Sequence, residues 1–201
     1  MKVLFISVLA CLTLALAGTA SAANWPDPNL DRVATSIAGH PVTVWCEGSW
    51  ADWIHAGDHF QDDWSYLEGF TYPNTTDMNV YVNPEICETL HALLAGGPRL
   101  VGPYHASIAI HTLIHESEHQ YGILNEAQAD CAALANFKSV ATNYFGYPLY
   151  DTHTRLVRMK VKGVYTYRPQ NYQTAGQQLA DAYTMAWAWH KNAPAAYQGV
   201  C

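Results

Sequence analysis

Charged residues are scarce in this chain of 201 residues, because only 13% are Asp, Glu, Lys or Arg. Soluble domains usually carry about 25%. The 50% hydrophobic content excludes coiled coils and disordered tails, which need many more charges or far fewer large apolar groups. Positive charge is the scarcer kind, with 10 Lys and Arg against 17 Asp and Glu and a net charge of -7. Nucleic-acid-binding proteins show the opposite balance, so we expect no nucleic-acid partner.

Long apolar runs are nearly missing, and the one present lies at the amino terminus. Lys2 precedes an apolar run over residues 3–17, and Ala20-Ser21-Ala22 follows it. A basic start, an apolar core and an Ala-x-Ala end are typical of a secretory signal peptide, whereas a membrane anchor needs about 20 apolar residues. The sequence predicts a signal peptide at residues 1–22 and one secreted domain at residues 23–201, soluble and without membrane association after cleavage.

Cysteine is infrequent, with 5 residues in the chain, and Cys11 lies within the predicted signal peptide. The mature chain keeps Cys46, Cys87, Cys131 and Cys201. An even count in a secreted chain predicts two disulfides. Four cysteines allow three pairings, and the sequence does not choose among them.

Strand patterns precede helix patterns along the mature chain. Segment 42–46 is β-branched and aromatic, and segment 78–82 alternates, which predicts two strands. Apolar spacing and capping residues predict helices over 84–94, 104–121, 125–137 and 174–191. We expect an extended lead-in at 24–36, a loop at 47–76 with one short strand near 69–72, and an irregular segment at 146–172 with a strand at 161–167. This order predicts an α+β fold.

Residues 115–119 read His-Glu-Ser-Glu-His, an H-E-x-x-H motif on a predicted helix. At about 100° per residue, His115 and His119 lie roughly 40° apart on one face. Two imidazoles one turn apart can hold one zinc ion, and Glu116 beside them can reach a water on that metal. Zinc lowers the pKa of such a water toward about 7, and a carboxylate can take its proton. The motif predicts zinc as cofactor, His115 and His119 as ligands and Glu116 as catalytic base.

A catalytic zinc site needs a third protein ligand and an open fourth position. Gly122 can turn the chain, and Glu126 then falls in the first turn of the next helix, where a carboxylate suits both the metal and the helix N-terminus. Asp130 follows one turn later and can accept a hydrogen bond from the distal nitrogen of a ligand histidine. We expect Glu126 to be the third metal ligand and Asp130 to orient one of the histidines. The plainer alternatives are a helix-start acid and a surface acid.

Other interpretations of this segment stay open. His115-x-x-Glu118-His119 is also the inverted motif H-x-x-E-H, so Glu118 is the second candidate base. The downstream Gly122 and Glu126 favour Glu116. A helix that carries two solvent-facing histidines and no metal is the plainest alternative.

Residues 111–131 resemble the zincin metallopeptidases of the glutamate-ligand type. In those enzymes one helix carries two His ligands and the base Glu, and a second helix supplies the Glu ligand. The segment Asn-Glu-Ala-Gln-Ala-Asp at 125–130 is similar to the Asn-Glu-x-x-Ser-Asp segment of thermolysin-like enzymes. The resemblance implies the same roles for His115, Glu116, His119, Glu126 and Asp130. Only six residues separate His119 from Glu126, far fewer than in thermolysin-like proteins.

Two further likenesses bear on the third ligand. Gly122 and Asn125 stand where metzincins place a Gly and their third ligand, but Asn is a poor zinc ligand, so Glu126 is preferred. The chain resembles more closely a set of small secreted bacterial proteins of uncertain function with an H-E-x-x-H-x-x-G-x-x-x-E-A-x-x-x-C run. Their Pro-x-x-Cys-x-x-Leu segment and Tyr-x-x-x-Cys end are matched by residues 84–90 and 197–201.

The resemblance implies a disulfide-bonded α+β domain in which a zincin-like helical core carries the H-E-x-x-H helix beside a small antiparallel sheet. The predicted function is that of a secreted, monomeric, zinc-dependent metallopeptidase that acts on a peptide or protein substrate. Segment 78–82 is a candidate edge strand for pairing with that substrate, and His190 is one candidate oxyanion donor. The alternatives are a noncatalytic binding domain that uses the Trp-rich segment 45–64, and a zinc amidase that acts on cell-wall peptide.

Overall fold

A computed structural model describes residues 25–56, 67–72, 76–161, 164–198 and 201. The predicted signal peptide and Trp64 lie outside the described residues. None of the helices in the described ranges is both long and apolar enough to cross a bilayer.

The described chain is an α+β structure with two sheets. The strands are β1 (Trp25–Pro26), β2 (Thr43–Cys46), β3 (Gly69–Thr71), β4 (Asn79–Val82), β5 (Tyr150–Val161) and β6 (Val164–Ala175). The first four form one sheet in the order β1-β2-β4-β3, and β5 pairs with β6 in a separate hairpin. The helices are α1 (Pro28–Ala38), α2 (Trp50–Ala56), α3 (Pro84–Gly96), α4 (Pro103–Tyr121), α5 (Glu126–Tyr144) and α6 (Gln177–Asn192).

The small sheet is mixed, so the prediction of an antiparallel sheet is wrong. Strands β2 and β4 run parallel, with Val44 opposite Val80, while β1 and β3 pair antiparallel to their neighbours. A parallel pair requires a long crossover between its strands, and residues 47–78 provide that length. Alternation of side chains along a strand marks its faces but carries no information about its direction.

Helix α1 replaces the predicted extended lead-in. The Asp27 side chain accepts hydrogen bonds from the backbone N–H groups of Asn29 (2.8 Å) and Leu30 (3.1 Å), and Pro28 occupies the first helical turn. An Asp cap followed by Pro is a start signal for a helix. The buried face is formed by Leu30, Val33, Ala34 and Ala38. The sequence therefore carried both the cap and the helical spacing.

Segment 146–172 is also more regular than predicted, because most of it belongs to the long hairpin β5–β6. Tyr150 lies opposite Ala175 and Val161 lies opposite Val164, so the register is continuous over both strands. Alternation of polar and apolar residues is confined to short stretches such as 157–161, and the segment has no long apolar run, so its sequence is weak evidence for a strand.

Helix α4 lies at the centre of the fold and packs against α1, α3, α5, α6, β3 and β4. Ile110, Leu113 and Ile114 are fully buried in the main core. Between Ala106 and His119 residues of every face of the helix are buried, including the polar ones, so a single apolar stripe does not describe it. The polar residues of this stretch are therefore held inside the protein, where each needs a partner.

Both predicted disulfides are present, and the structure selects one of the three pairings. Cys46 pairs with Cys87 and joins β2 to α3, with Cα atoms 5.6 Å apart. Cys131 pairs with Cys201 and joins α5 to the end of the chain, with Cα atoms 5.3 Å apart. The second disulfide holds the segment after α6 close to the helices α4 and α5.

Candidate metal centre

The turn between α4 and α5 sets the geometry of the site. Gly122 ends α4 in a left-handed conformation (φ 109°), which glycine adopts without strain. Asn125 then caps α5, because its side-chain oxygen accepts a hydrogen bond from the N–H of Gln128 at 3.0 Å. This cap places Glu126 in the first turn of α5, beside the last turns of α4. The predicted helix start is confirmed, and the amide oxygen of Asn125 is used by the cap.

Three side chains converge between these helices. His115 Nε2 lies 3.1 Å from His119 Nε2 and 3.0 Å from Glu126 Oε2, and His119 Nε2 lies 3.3 Å from the same oxygen. Ligands about 2.0–2.2 Å from a tetrahedral zinc ion are separated by roughly 3.4 Å. Two imidazole nitrogens and one carboxylate oxygen are also the donor set of many catalytic zinc sites. The three predicted ligands therefore fit a zinc ion without rearrangement of the helices.

The distal nitrogens of both histidines face groups that orient the rings. His119 Nδ1 lies 2.6 Å from the carbonyl oxygen of Ile123 and donates a hydrogen bond to it. His115 Nδ1 lies 3.6 Å from Asp130 Oδ1, an ion-pair rather than a hydrogen-bond distance. Partners of this kind fix the imidazole so that Nε2 presents its lone pair to a metal. The predicted place of Asp130 behind a ligand histidine agrees with this arrangement.

The close contact of charged groups shifts the pKa values of His115 and Glu126 in opposite directions. Burial lowers the pKa of His115, but the carboxylates of Asp130 and Glu126 outweigh it and raise that pKa to about 10. Burial raises the pKa of Glu126, but hydrogen bonds from the two histidines bring it down to about 2. The site therefore favours a positive charge between these groups, which a proton supplies when no metal is bound.

The two candidate bases point to different places. Glu116 lines the same cavity as His115 and is nearly fully buried, which raises its pKa. Glu118 instead accepts a hydrogen bond from Asn136 Nδ2 at 2.8 Å, toward α5. The cavity that His115 lines therefore includes Glu116 and not Glu118, as the direct motif requires.

Asp130 is the centre of a buried polar network larger than the sequence predicts. It is fully buried, and His111 Nε2 lies 3.1 Å from its Oδ1. His190 Nδ1 donates a short hydrogen bond to its other oxygen. Together with His115, three histidines surround one carboxylate, and these imidazoles hold the pKa of Asp130 well below its ordinary range although burial opposes them. His190 is buried against Asp130 and does not line the cavity, which argues against its prediction as an oxyanion donor.

A cavity of about 460 Å³ opens beside Glu116 and His115. We call it the apolar cavity, because much of its wall is hydrophobic. Its lining includes Leu67, Trp189, Ala193, Pro194 and Ala196. Tyr197 closes one side, with its ring centroid 5.8 Å from that of His115. The part of the wall formed by residues 193–197 belongs to the segment between α6 and Cys201, which the Cys131–Cys201 disulfide joins to α5. The cysteine pattern alone did not indicate this role.

Strand β3 reaches the helix of the motif through a glycine. A Cβ atom on Gly69 would lie 2.8 Å from Thr112 Cγ2 and 3.1 Å from Glu116 Cγ. Only glycine therefore lets β3 lie this close to the candidate base. Among the strands that the structure describes, β3 and β1 are the edges of the small sheet and β4 is internal. The prediction of an edge strand at 78–82 is therefore wrong, because both of its sides are already paired.

The three described tryptophans of segment 45–64, Trp45, Trp50 and Trp53, do not form one surface. Trp53 is fully buried against Phe70, and Trp45 donates its indole N–H to Asn79 at 3.0 Å. Trp50 is the exposed member, with 47% of its surface accessible. Trp53 is therefore not available to a binding surface in this segment, and its burial reflects the usual role of a large aromatic side chain in packing.

No family model, no curated protein and no solved structure matches the chain. The likeness of residues 111–131 to zincins therefore stays a prediction, and the site has to be judged by its own geometry.

Proposed function

We propose that the chain is a secreted zinc-dependent hydrolase that cleaves peptide bonds, with His115, His119 and Glu126 as the metal ligands. The observation that carries the proposal is the convergence of two imidazole nitrogens and one carboxylate oxygen within 3.0–3.3 Å of one another. The other two described groups of possible ligands contain disulfide-bonded cysteines, which are not available to a metal. Two disulfides are typical of proteins outside the reducing cytosol and support secretion.

Each residue of the site has a distinct part in the reaction. A bound zinc ion would supply Lewis acidity toward a substrate carbonyl and a water molecule. Glu116 would take the proton of that water and return it to the leaving amine, as a buried carboxylate with a raised pKa is suited to do. Asp130 and the carbonyl of Ile123 hold the two imidazoles in place, so that neither has to reorient during the reaction.

The surroundings of Glu116 suit a peptide or protein substrate. The apolar cavity offers about 460 Å³ beside the candidate base, a size in the range of small-molecule sites, about 300–1,000 Å³. Strand β3 lies next to Glu116, and its buried residues form one side of the site rather than an open edge. We expect one substrate side chain to occupy the cavity.

Metal analysis of the purified protein tests the site itself. We expect one zinc ion per monomer in the wild type and a large loss of zinc in His115→Ala, because the imidazole is one of the converging donors. His91→Ala is the matched control, since His91 lies on α3 and bonds the Asp27 side chain rather than a residue of the site. A wild-type protein that binds no zinc, or a His115→Ala variant with unchanged zinc content, would refute the proposed ligands.

A zinc amidase that acts on a nonprotein amide, such as cell-wall peptide, is the second candidate function. It would use the same ligands and the same base. The observation that favours it is a second, polar cleft that shares Glu68 with the apolar cavity.

A further inference from the structure

Glu68 stands between two openings in the surface. It lines the apolar cavity on one side, and on the other it lines a separate cleft of about 260 Å³. We call this second opening the polar cleft. It lies between α2, α3 and the start of α4, and the catalytic roles proposed above make no use of it.

Two aromatic side chains border the polar cleft and remain open to solvent. Trp50 is 47% exposed and Tyr104 is 56% exposed, although both are large rings that gain free energy from burial. The indole of Trp50 and the ring of Tyr104 therefore offer apolar faces on which a flat, partly apolar ligand can stack.

The polar residues of the cleft include both acceptors and donors. The carboxylates of Glu68 and Glu85 accept hydrogen bonds, while the imidazole of His105 and the hydroxyl of Thr89 can donate them. His105 Nδ1 lies 3.5 Å from Glu85 Oε1, so the carboxylate already faces a group that can carry positive charge. A simple organic cation carries donors alone and has no acceptor for the donors of His105 and Thr89. A ligand with donors and acceptors of its own fits this lining better.

A sugar ring meets both requirements. Its C–H face is apolar and stacks on aromatic rings, and each of its hydroxyls both donates and accepts a hydrogen bond. The volume of about 260 Å³ lies below the range of roughly 300–1,000 Å³ that is usual for drug-sized ligands, so one ring fits rather than a long chain. We propose that the polar cleft binds one pyranose ring of a saccharide.

The position of Glu68 connects this site to the candidate metal centre. Glu68 is followed by Gly69, whose backbone contacts the helix at Glu116. If the chain hydrolyses amides, which is the function proposed above, a sugar in the polar cleft would be attached to the substrate close to the scissile bond. The substrate class is then a sugar-bearing peptide or amide, and the ring supplies binding energy that positions the bond.

Calorimetric titration of the zinc-loaded mature protein tests the binding step without reference to catalysis. The probes are N,N′-diacetylchitobiose, cellobiose and mannobiose, with n-butylamine as the simple cation. We expect saturable binding of at least one disaccharide, and binding about tenfold or more weaker in Trp50→Ala, because a stacking surface is lost. Trp25→Ala is the matched control, since Trp25 is also exposed but stacks on His91 outside the cleft.

Glu85→Gln removes one acceptor charge from an exposed position and serves as a second variant should Trp50→Ala unfold. We expect it to weaken disaccharide binding and to retain the thermal unfolding midpoint of the wild type. Absence of saturable binding by all three disaccharides would overturn the proposal. So would equal binding by wild type and both variants, or saturation by n-butylamine alone.

A pair of matched peptides separates this proposal from the proposed function. The two peptides have one sequence, and one of them carries a single N-acetylglucosamine on a Ser or Asn next to the scissile bond. Faster cleavage of the glycopeptide, lost in Trp50→Ala, is the expected result. Equal cleavage of both would refute the sugar as part of the substrate and leave the hydrolase intact. Disaccharide binding without cleavage of either peptide would instead refute the hydrolase and leave the cleft intact.

Discussion

At the candidate metal centre, two adjacent residues are candidates for the third ligand in the sequence, but the structure gives them different contacts. Asn125 and Glu126 are adjacent, and both are polar. Asn125 uses its side-chain oxygen to cap α5, whereas Glu126 directs a carboxylate oxygen to both histidines. These contacts favour Glu126 over Asn125 as the third ligand.

Paired substitutions test that assignment. We expect Glu126→Ala to weaken zinc binding by about 100-fold or more, because one of three protein ligands is lost. Asn125→Ala should cost about 1 kcal/mol of stability through the lost cap and leave the zinc affinity close to wild type. Competition with a coloured chelator gives the affinities, and urea unfolding gives the stabilities. The opposite ranking of the two affinities would transfer the ligand role to Asn125.

The individual residues of the site were largely predictable, because the H-E-x-x-H spacing depends only on the helix period. The network around Asp130 was not. His111 precedes His115 by about one turn, so the helix period alone predicts that both lie on the same face. His190 comes from α6, far along the chain, and its contact with Asp130 depends on how α6 packs on α4 and α5. Local spacing cannot predict a contact of that kind.

At the scale of elements, the approach of β3 to α4 is the contact that shapes the cavity. The backbone of Gly69 lies where any side chain would collide with Thr112 and Glu116. Gly102 offers the contrast, because a Cβ there meets nothing within 4 Å and the backbone has an ordinary φ of -63°.

Alanine at these two glycines tests the packing. We expect Gly69→Ala to destabilise the protein by about 1–3 kcal/mol, the usual cost of overpacking, and to lower hydrolytic activity by displacing Glu116. Gly102→Ala should cost about 1 kcal/mol or less in the same unfolding assay, because Ala is a poorer N-cap than Gly, and should leave the hydrolytic activity close to wild type. If Gly69→Ala retains wild-type stability and activity, β3 does not contact the motif helix as the structure shows.

Helices with strong caps and apolar spacing were predicted well, as α3, α4 and α5 show. The differences between prediction and structure have separate causes. Pro26 and Pro28 favour an extended lead-in although Asp27-Pro28 is also the start signal of α1, and the hairpin β5–β6 has only short stretches of alternating residues. Strand direction in the small sheet depends on the crossover between β2 and β4, which no local pattern encodes.

At the scale of the whole molecule, the metal-free protein should depend on pH in a way that reveals the site. The pKa of His115, about 10, lies above its ordinary value of 6.5, so its proton stabilises the fold fully below about pH 6.5. That contribution is lost as pH rises toward 10. The pKa of Glu126, about 2, lies below the ordinary 4.5, so its contribution is lost only as pH falls toward 2.

We therefore expect the unfolding midpoint of chelator-treated protein to fall between pH 6.5 and 10. Zinc should remove this fall, because the ion replaces the proton among the three ligands and binds more tightly as pH rises. Calorimetric scans with and without zinc across this range measure the effect. A flat or rising midpoint in the metal-free protein would contradict the arrangement of charges around His115.

The most direct test of a zinc hydrolase is peptide turnover by zinc-loaded Glu116→Gln and Glu118→Gln compared with the wild type. Digestion of a peptide library, followed by mass spectrometry of the products, identifies a cleaved sequence. Metal analysis confirms that each variant retains zinc. We predict that Glu116→Gln loses turnover by at least about 100-fold, the scale of a lost general base. Glu118→Gln, whose side chain faces Asn136, should stay within a few-fold of wild type. Equal turnover by Glu116→Gln and wild type, with zinc bound in both, would contradict the account.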